Sequence, residues 1–266
     1  MLVYPNIDPI YSDIFYINIY WYGFLHVMIF FINLIYFIYL KNKFYRNLKF
    51  YFLFDYLFYL SFGAILGAKF GYVIFYEPEL FFLDKSNFLK FWLPGRSFYG
   101  GLIGILLVFS LYKRKYQNSL FHNHIVLILP INILFGRIAN FINGELCGRI
   151  TNQNWGMIFP HIDNNLRHVS QLYEAFFEGI FLFFIILFIN KKYKKIIHIC
   201  FIVIYSLFRF FIEFFREPDY YNIVCLLKYN FTLNQMLSII TLLITILIYY
   251  IFKIYETVYK FNKRSS

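Results

Sequence analysis

The sequence predicts an all-α integral membrane protein of about seven transmembrane helices, with the N-terminus outside and the C-terminus cytoplasmic. Three observations predict it. Of the 266 residues, 61% are hydrophobic and only 15% charged, whereas soluble domains carry about a quarter charged residues. The apolar residues gather into runs close to the roughly 20 that a membrane-crossing helix needs. The basic residues gather into alternate connections between those runs. With no internal repeat and no separate soluble segment, residues 1–266 read as a single polytopic membrane domain.

The apolar runs fall at 16–40, 50–76, 98–112, 120–142, 170–190, 196–215 and 232–252. No basic stretch precedes the first, so it reads as a retained span rather than a cleaved signal. The third is short if it begins at Gly100, and the fourth carries Pro130, where a kink is expected. Seven spans place the termini on opposite sides, and the charges choose which. One set of connections holds fifteen basic residues: Lys41, Lys43, Arg46, Lys49, Lys113, Arg114, Lys115, Lys191, Lys192, Lys194, Lys195, Lys253, Lys260, Lys263 and Arg264. The alternate set holds seven: Lys85, Lys90, Arg96, Arg149, Arg167, Arg216 and Lys228. The richer set is cytoplasmic by the positive-inside rule. The net charge of +11 is therefore topology, not a nucleic-acid footprint.

The outer-side connections are then 77–97, 143–169 and 216–231, the longer and more polar ones. Lys69, Arg137 and Arg209 lie toward the outer ends of their helices, so a site opening to the outer leaflet is expected. Heavy use of Phe, Ile, Tyr, Asn and Lys resembles codon bias toward A and T, so the 25% aromatic content is not a ligand signal. Cys147, Cys200 and Cys225 show neither metal-ligand spacing nor a disulfide framework. They read as unpaired thiols, with a Cys147–Cys225 bridge left open because both fall on one side. Nothing indicates a metal, a nucleotide or another cofactor.

Residues 136–151, GRIANFINGELCGRIT, are the least membrane-like stretch beside some of the most membrane-like sequence. Charged groups at membrane depth are costly and usually face a cavity with a function. Arg137 and Asn140 share a helix face at i, i+3, and Gly144 continues it one turn on. Either Arg137 acts on a ligand or it forms a buried ion pair with Glu145, and buried pairs are weak stabilisers. Tyr205, Arg209 and Glu213 line one stripe of the sixth span at i, i+4, i+8, with Arg216 just beyond. Two guanidinium groups from different spans suit a phosphate, since each offers a planar fork of donors.

Gly63, Gly67 and Gly71 recur every fourth residue with Ala64 and Ala68 alongside, which favours close helix packing. Lys69 among them either snorkels to the interface or holds a lipid phosphate. The glycines of Arg96-Ser97-Phe98-Tyr99-Gly100-Gly101 permit tight backbone approach or a bend where the chain re-enters the membrane. Arg167 to Glu174 also opens a span. Ser170 and Glu174 are one residue too far apart for a capping box, so a cap alone does not explain that polar density. Of the histidines only His168, by its company, looks more than interfacial.

Together, Tyr20-Trp21-Tyr22-Gly23, Ser97 to Gly104, residues 136–151, Arg167 to Glu174 and Tyr205 to Asp219 closely resemble prolipoprotein diacylglyceryl transferases, in order along nearly the whole chain. The resemblance implies seven helices in a bacterial inner membrane. It also implies transfer of the diacylglyceryl group of phosphatidylglycerol to the lipobox cysteine in the signal peptide of a prelipoprotein, with glycerol-1-phosphate released. It carries roles onto Tyr22, Arg137, Asn140, Glu145, Gly148, Tyr205, Arg209 and Glu213, with Arg137 and Arg209 binding the lipid phosphate. The family's loop usually reads Ser-Phe-His-Gly-Gly, whose histidine is a proposed base, and this chain has Tyr99 there. Tyr99 is expected to hydrogen-bond the thiol or a phosphate oxygen. The rival readings are a catalytically impaired relative that binds lipid without transfer, and a membrane lipid or anion transporter.

Overall fold

A computed structural model describes residues 2–5, 7–8, 10–14, 17–78, 95–115, 119–218, 223–226 and 229–265. It is mostly helical: α1 (Trp21–Phe44), α2 (Phe50–Phe75), α3 (Phe98–Lys115), α4 (Ser119–Ile142), α5 (Ser170–Lys192), α6 (Ile197–Ile212) and α7 (Leu233–Ser265). Five helical stretches among the described residues are long and apolar enough to cross a membrane: Gly23–Phe44, Phe50–Phe75, Asn123–Ile142, Ser170–Lys192 and Leu233–Ile254. Bulky apolar side chains such as Ile35, Ile74, Phe188 and Leu247 stand exposed along them. Lipid, not water, is the solvent such faces require.

The apolar parts of the other two, Phe98–Leu111 and Ile197–Ile212, are shorter. The 16 residues of α6 rise about 24 Å, less than the roughly 30 Å of a hydrocarbon core. Its buried stripe carries Arg209, and Glu213 ends it, so polarity shortens the apolar length.

Short strands join the helices. The first predicted span begins at Trp21 rather than at residue 16, because Ile10–Ile14 (β2) and Ile17–Tyr20 (β3) form an antiparallel hairpin. Its isoleucines alternate with Asp13, Ser12 and Asn18, a period of two that suits a strand. Leu2–Val3 (β1), Met157–Ile158 (β4) and Leu166–Arg167 (β5) make a three-stranded sheet in the order β1-β4-β5. Ile223–Leu226 (β6) and Tyr229–Thr232 (β7) pair antiparallel before α7.

The chain divides into two compact units, His26–His124 and Met1–Leu25 with Ile125–Ser266. In the first, α2 and α3 pack through glycines. A Cβ on Gly71 would lie 2.5 Å from Gly100 Cα, and one on Gly104 would lie 2.8 Å from the Gly63 carbonyl carbon. No side chain fits between backbones so close, which bears out the packing reading of the Gly63-Gly67-Gly71 stripe. Tyr36 and His124 Nδ1 meet at 3.0 Å in the same unit.

In the second unit, α4 runs through Pro130 as one helix and stops at Gly144, whose φ of +65° suits glycine. Tyr4, Cys147, Phe159 and Val169 form a small core over that helix end, and the Tyr4 hydroxyl donates to the Ile142 carbonyl at 2.6 Å. Cys147 and Cys200 are free thiols. The side chain of Cys225 and most of the predicted 77–97 connection, 79–94, lie outside the described residues.

Candidate functional site

Three helices of the second unit bring six charged side chains into one buried cluster. α4 supplies Arg137, α5 supplies Glu174 and Glu178, α6 supplies Arg209 and Glu213, and Arg216 follows α6. Spacing explains which side chains come together. Glu174 and Glu178 stand four apart, as do Arg209 and Glu213, so each pair shares a helix face. Helix α5 widens into a π-helical segment at Ala175–Phe181, directly after Glu174. Such widening is rare and recurs at functional sites. A Cβ on Gly179 would lie 2.7 Å from the Leu134 side chain, so glycine lets α5 approach α4.

The Arg137 guanidinium is a two-pronged donor: Nη1 lies 3.1 Å from Glu174 Oε2, and Nη2 lies 3.1 Å from Glu178 Oε2. Arg209 pairs with Glu174 Oε1, reaches Glu178 Oε1 at 3.5 Å, and holds Glu213 Oε2 at 3.0 Å through Nη2. Arg216 Nη1 is 3.4 Å from Glu174 Oε1. The two arginines singled out from sequence therefore converge, and Glu174 and Glu178 lie between them. With three guanidinium groups and three carboxylates ionised, the cluster is neutral. Both of these glutamates are fully buried, while the Arg137 side chain keeps 12% of its exposure and that of Arg209 only 4%. Arg137 is the cluster's open edge.

Glu213 is anchored from behind by the start of α7. Thr232 Oγ1 and Asn234 Nδ2 both donate to Glu213 Oε1 at 3.0 Å. Thr232 and Gln235 also form a reciprocal cap, with Thr232 N bonding Gln235 Oε1 at 3.1 Å and Gln235 N bonding Thr232 Oγ1 at 3.2 Å. Tyr205 is buried one turn before Arg209 and stacks on Phe201 at 6.1 Å.

Other expected residues sit around this cluster. Asn140 Nδ2 donates to Glu145 Oε1 at 2.7 Å, so the alternative of an Arg137–Glu145 pair is replaced by Arg137 with Glu174 and Glu178. Glu145 itself is exposed. Gly148 lies where a Cβ would be 2.6 Å from the His168 side chain and 2.7 Å from the Phe215 carbonyl oxygen, so no larger residue fits. The polar density at Arg167 to Glu174 is structural as well as ionic. Ser170 donates to the Leu146 carbonyl at 2.9 Å, Gln171 to the Glu145 carbonyl at 2.7 Å, and no side chain caps α5.

Arg167 grips Asp163, with Nη2 to Oδ2 at 2.6 Å, and holds that carboxyl down at about 2. His168 Nδ1 meets the Tyr173 hydroxyl at 3.2 Å, and burial pushes its imidazole below the ordinary histidine range. Tyr99 lies in the first turn of α3 in the other unit and is buried. Tyr22 lies in the first turn of α1, and its side chain is outside the described residues.

Sequence reasoning missed Glu174 and Glu178 as members of the cluster, and Thr232, Asn234 and Gln235 as the support of Glu213. Two signals were present. The Glu-x-x-x-Glu spacing sits inside an otherwise apolar run, and Thr232-Leu233-Asn234-Gln235 precedes another.

Comparison with known proteins places the chain in one family. A family model described as prolipoprotein diacylglyceryl transferase matches residues 9–251. A protein of Rickettsia akari (strain Hartford) named phosphatidylglycerol–prolipoprotein diacylglyceryl transferase is 40% identical over 248 residues, 90% of this chain and 94% of its own length. A protein of the same name from Rickettsia felis is 39% identical over 250 residues, 91% and 96% of the two chains. Another, from Wolbachia pipientis, is 44% identical over 196 residues, 70% and 73%.

Proposed function

This chain belongs to the prolipoprotein diacylglyceryl transferase family, and from that premise we propose that it is an enzyme that transfers the diacylglyceryl group of phosphatidylglycerol to prolipoproteins. One observation in the fold carries the reading. Two arginines from separate apolar helices share a buried carboxylate pair, and one of them keeps an open edge. Its acceptor is the cysteine thiol of the lipobox in the prelipoprotein signal peptide. It works in the bacterial inner membrane as one polytopic domain, with α3 and α6 crossing besides the five longer helices. The N-terminus lies outside, the C-terminus in the cytoplasm, and the site faces the outer leaflet, as the basic connections require.

The chemistry follows from the charges. The cysteine thiolate attacks the glyceryl carbon that bears the phosphate ester. A carbon–sulfur bond forms, the carbon–oxygen bond breaks, and the electron pair leaves with glycerol-1-phosphate. A thiol with a pKa of about 8.5 is roughly 3% ionised at pH 7, and taking its proton costs about 2 kcal/mol. That is small against the 8–23 kcal/mol that enzymes commonly remove. Stabilising the departing phosphate is the larger task, and donors fixed in a water-poor site do it without reorganising.

In this reading Arg137 meets the phosphate, and Arg209 holds the carboxylates that aim Arg137. Glu213 and Tyr205 fix Arg209, Asn140 and Glu145 line the approach, and the family resemblance adds Tyr22 as a substrate-binding residue. Gly148 keeps that wall thin. Tyr99, standing where the family's loop carries histidine, is assigned to orienting the thiol or a phosphate oxygen.

The test is direct. The purified chain is incubated with phosphatidylglycerol and a lipobox peptide, and the products are read by mass spectrometry. A thioether-linked diacylglyceryl peptide is expected, with loss of at least 100-fold in Arg137→Ala. Lipid binding without product leaves a non-catalytic relative, and intact transfer in Arg137→Ala removes the phosphate-holding role.

A further inference from the structure

The turn that follows α4 is held in a way the chemistry above does not use. Leu146 has a φ of +61°, the one positive φ outside glycine among the described residues. A bulky side chain is strained there, and such a residue persists only where its surroundings over-determine it. Gly144 is also left-handed, at +65°, so Glu145 sits between two left-handed residues. Its carboxylate is turned back onto α4, where Oε1 accepts from Asn140 Nδ2 at 2.7 Å, about one turn beyond Arg137.

What over-determines the turn is a row of side-chain donors. The Cys147 thiol donates to the Gly144 carbonyl at 3.4 Å, Gln171 Nε2 to the Glu145 carbonyl at 2.7 Å and Ser170 Oγ to the Leu146 carbonyl at 2.9 Å. Three consecutive carbonyls therefore each take a side chain. Ser170 and Gln171 are fully buried, and Gln171 Oε1 has no hydrogen-bond partner among the described residues. A buried amide with an idle oxygen costs stability that an apolar residue of the same shape would not. Gln171 is therefore kept for its nitrogen, and that nitrogen serves the turn. It also precedes Glu174 by about one turn on the same face of α5. One helix end thus holds the Glu145 turn and, through Glu174 and Glu178, the Arg137 guanidinium.

We propose that Gln171 and Ser170 are positioning residues for transfer: by bonding the carbonyls of Glu145 and Leu146 they hold the left-handed turn, and through it they fix the Glu145 carboxylate at the approach to Arg137. On the function proposed above Glu145 lines that approach, and the role of Gln171 and Ser170 rests on it. Neither residue touches substrate. Without their donors Leu146 relaxes toward an ordinary φ, the peptide planes beside it rotate, and Glu145 loses its register with Asn140.

Gln171→Met removes the donor and the idle oxygen together and keeps the length, so the fold is retained. Transfer to a lipobox peptide, per folded full chain in neutral detergent, is expected to fall about 10-fold, the effect of one lost hydrogen bond. Ser170→Ala, on the neighbouring carbonyl, lowers it likewise and guards against misfolding of the first variant. Leu146→Asn added to Gln171→Met restores most of the loss, since asparagine enters the left-handed region readily. In a Glu145→Gln background Gln171→Met lowers the residual transfer no further, because it acts through that carboxylate, whereas a merely structural glutamine would lower it about 10-fold again. Hydrogen exchange of residues 144–148, read by mass spectrometry, needs no turnover. It is expected to speed up about 10-fold in Gln171→Met and to slow again when Leu146→Asn is added. A wild type that makes no product sinks the transferase reading, and exchange then decides by itself whether Gln171 holds the turn. Full transfer in Gln171→Met, an equal loss in the Glu145→Gln background, or unchanged exchange overturns the proposal.

Discussion

Neutralising Glu178 separates a phosphate-holding cluster from a purely structural one. Glu178 is fully buried, 3.1 Å from Arg137 and 3.5 Å from Arg209. Glu178→Gln keeps the shape and leaves an amide oxygen that still accepts from Arg137, but it leaves the six-charge cluster with one excess positive charge. Removing one partner of a buried ion pair costs 3–5 kcal/mol, and the retained acceptor places this variant near the lower end, about 3 kcal/mol. For a chain of this size that is a fall of roughly 6–12 °C in the unfolding midpoint. An anion that binds at Arg137 restores the missing charge, so phosphatidylglycerol should recover much of the loss. Three kcal/mol corresponds to lipid binding tighter by on the order of 100-fold. The assay is thermal unfolding in neutral detergent, with and without added phosphatidylglycerol. The reasoning predicts a lower midpoint without lipid and a larger lipid-induced rise than in the wild type. A lower midpoint with only the wild-type rise would show that the cluster serves folding alone, and an unchanged midpoint would refute the ion-pair arithmetic itself.

Tyr99→His is expected to raise transfer by no more than about 30-fold at pH 7, the full benefit of converting a 3% thiolate population to thiolate. A larger gain in the peptide assay would make proton removal, not phosphate departure, the main barrier. Thr232→Val removes one donor to Glu213 and the helix cap together, and should cost about 1–2 kcal/mol of stability by thermal unfolding while slowing transfer. Transfer unchanged beside lost stability would separate Glu213 from the chemistry. The Asp163 carboxyl, held at about 2 by Arg167, is depressed in the folded state. Its contribution is therefore present above pH 4 and is lost as the pH falls from about 4 toward 2. The midpoint difference between wild type and Asp163→Asn should shrink across that window, and a difference that stays constant would deny the pairing.

The helices were legible because lipid imposes length and apolarity, a demand that leaves runs of one composition. Boundaries at 50–76, 170–190 and 232–252 needed little beyond counting. The β2–β3 hairpin was not legible, because Ile17 and Ile19 join smoothly onto the apolar run that follows, and only the period of two separates them. The short extent of α6 was hidden in the same way, since Phe210, Phe211, Phe214 and Phe215 continue the apolar composition past the turn at Glu213. At the site, the stripe Tyr205-Arg209-Glu213 was readable from spacing. Its counterpart on α5 was not, for two reasons. Glu174 reads as the end of a polar approach rather than as a member of a buried face. Glu178 lies alone among aromatics, and its partners are 41 and 31 residues away in sequence. Charge complementarity between helices has no local period, so it appears only when the helices are packed.

A neutral cluster at rest is compatible with an anion site once donors are counted rather than charges. A guanidinium carries five N–H groups in a fixed fork. Arg137 spends one on Glu174 through Nη1 and one on Glu178 through Nη2, which leaves three in the plane or along its Nε edge. Arg209 is differently committed: Nη1 faces Glu174 and Glu178, Nη2 faces Glu213, and it is the more deeply buried of the two. Two bare arginines side by side in a low-dielectric interior would repel each other strongly and would be expensive to desolvate. Carboxylates placed between them remove that cost before any ligand arrives and fix both forks in orientation. The proposed phosphate then adds to the remaining edge of Arg137 rather than displacing a carboxylate, and it meets donors that are already aimed. On this argument the glutamates are what make paired arginines tolerable at membrane depth.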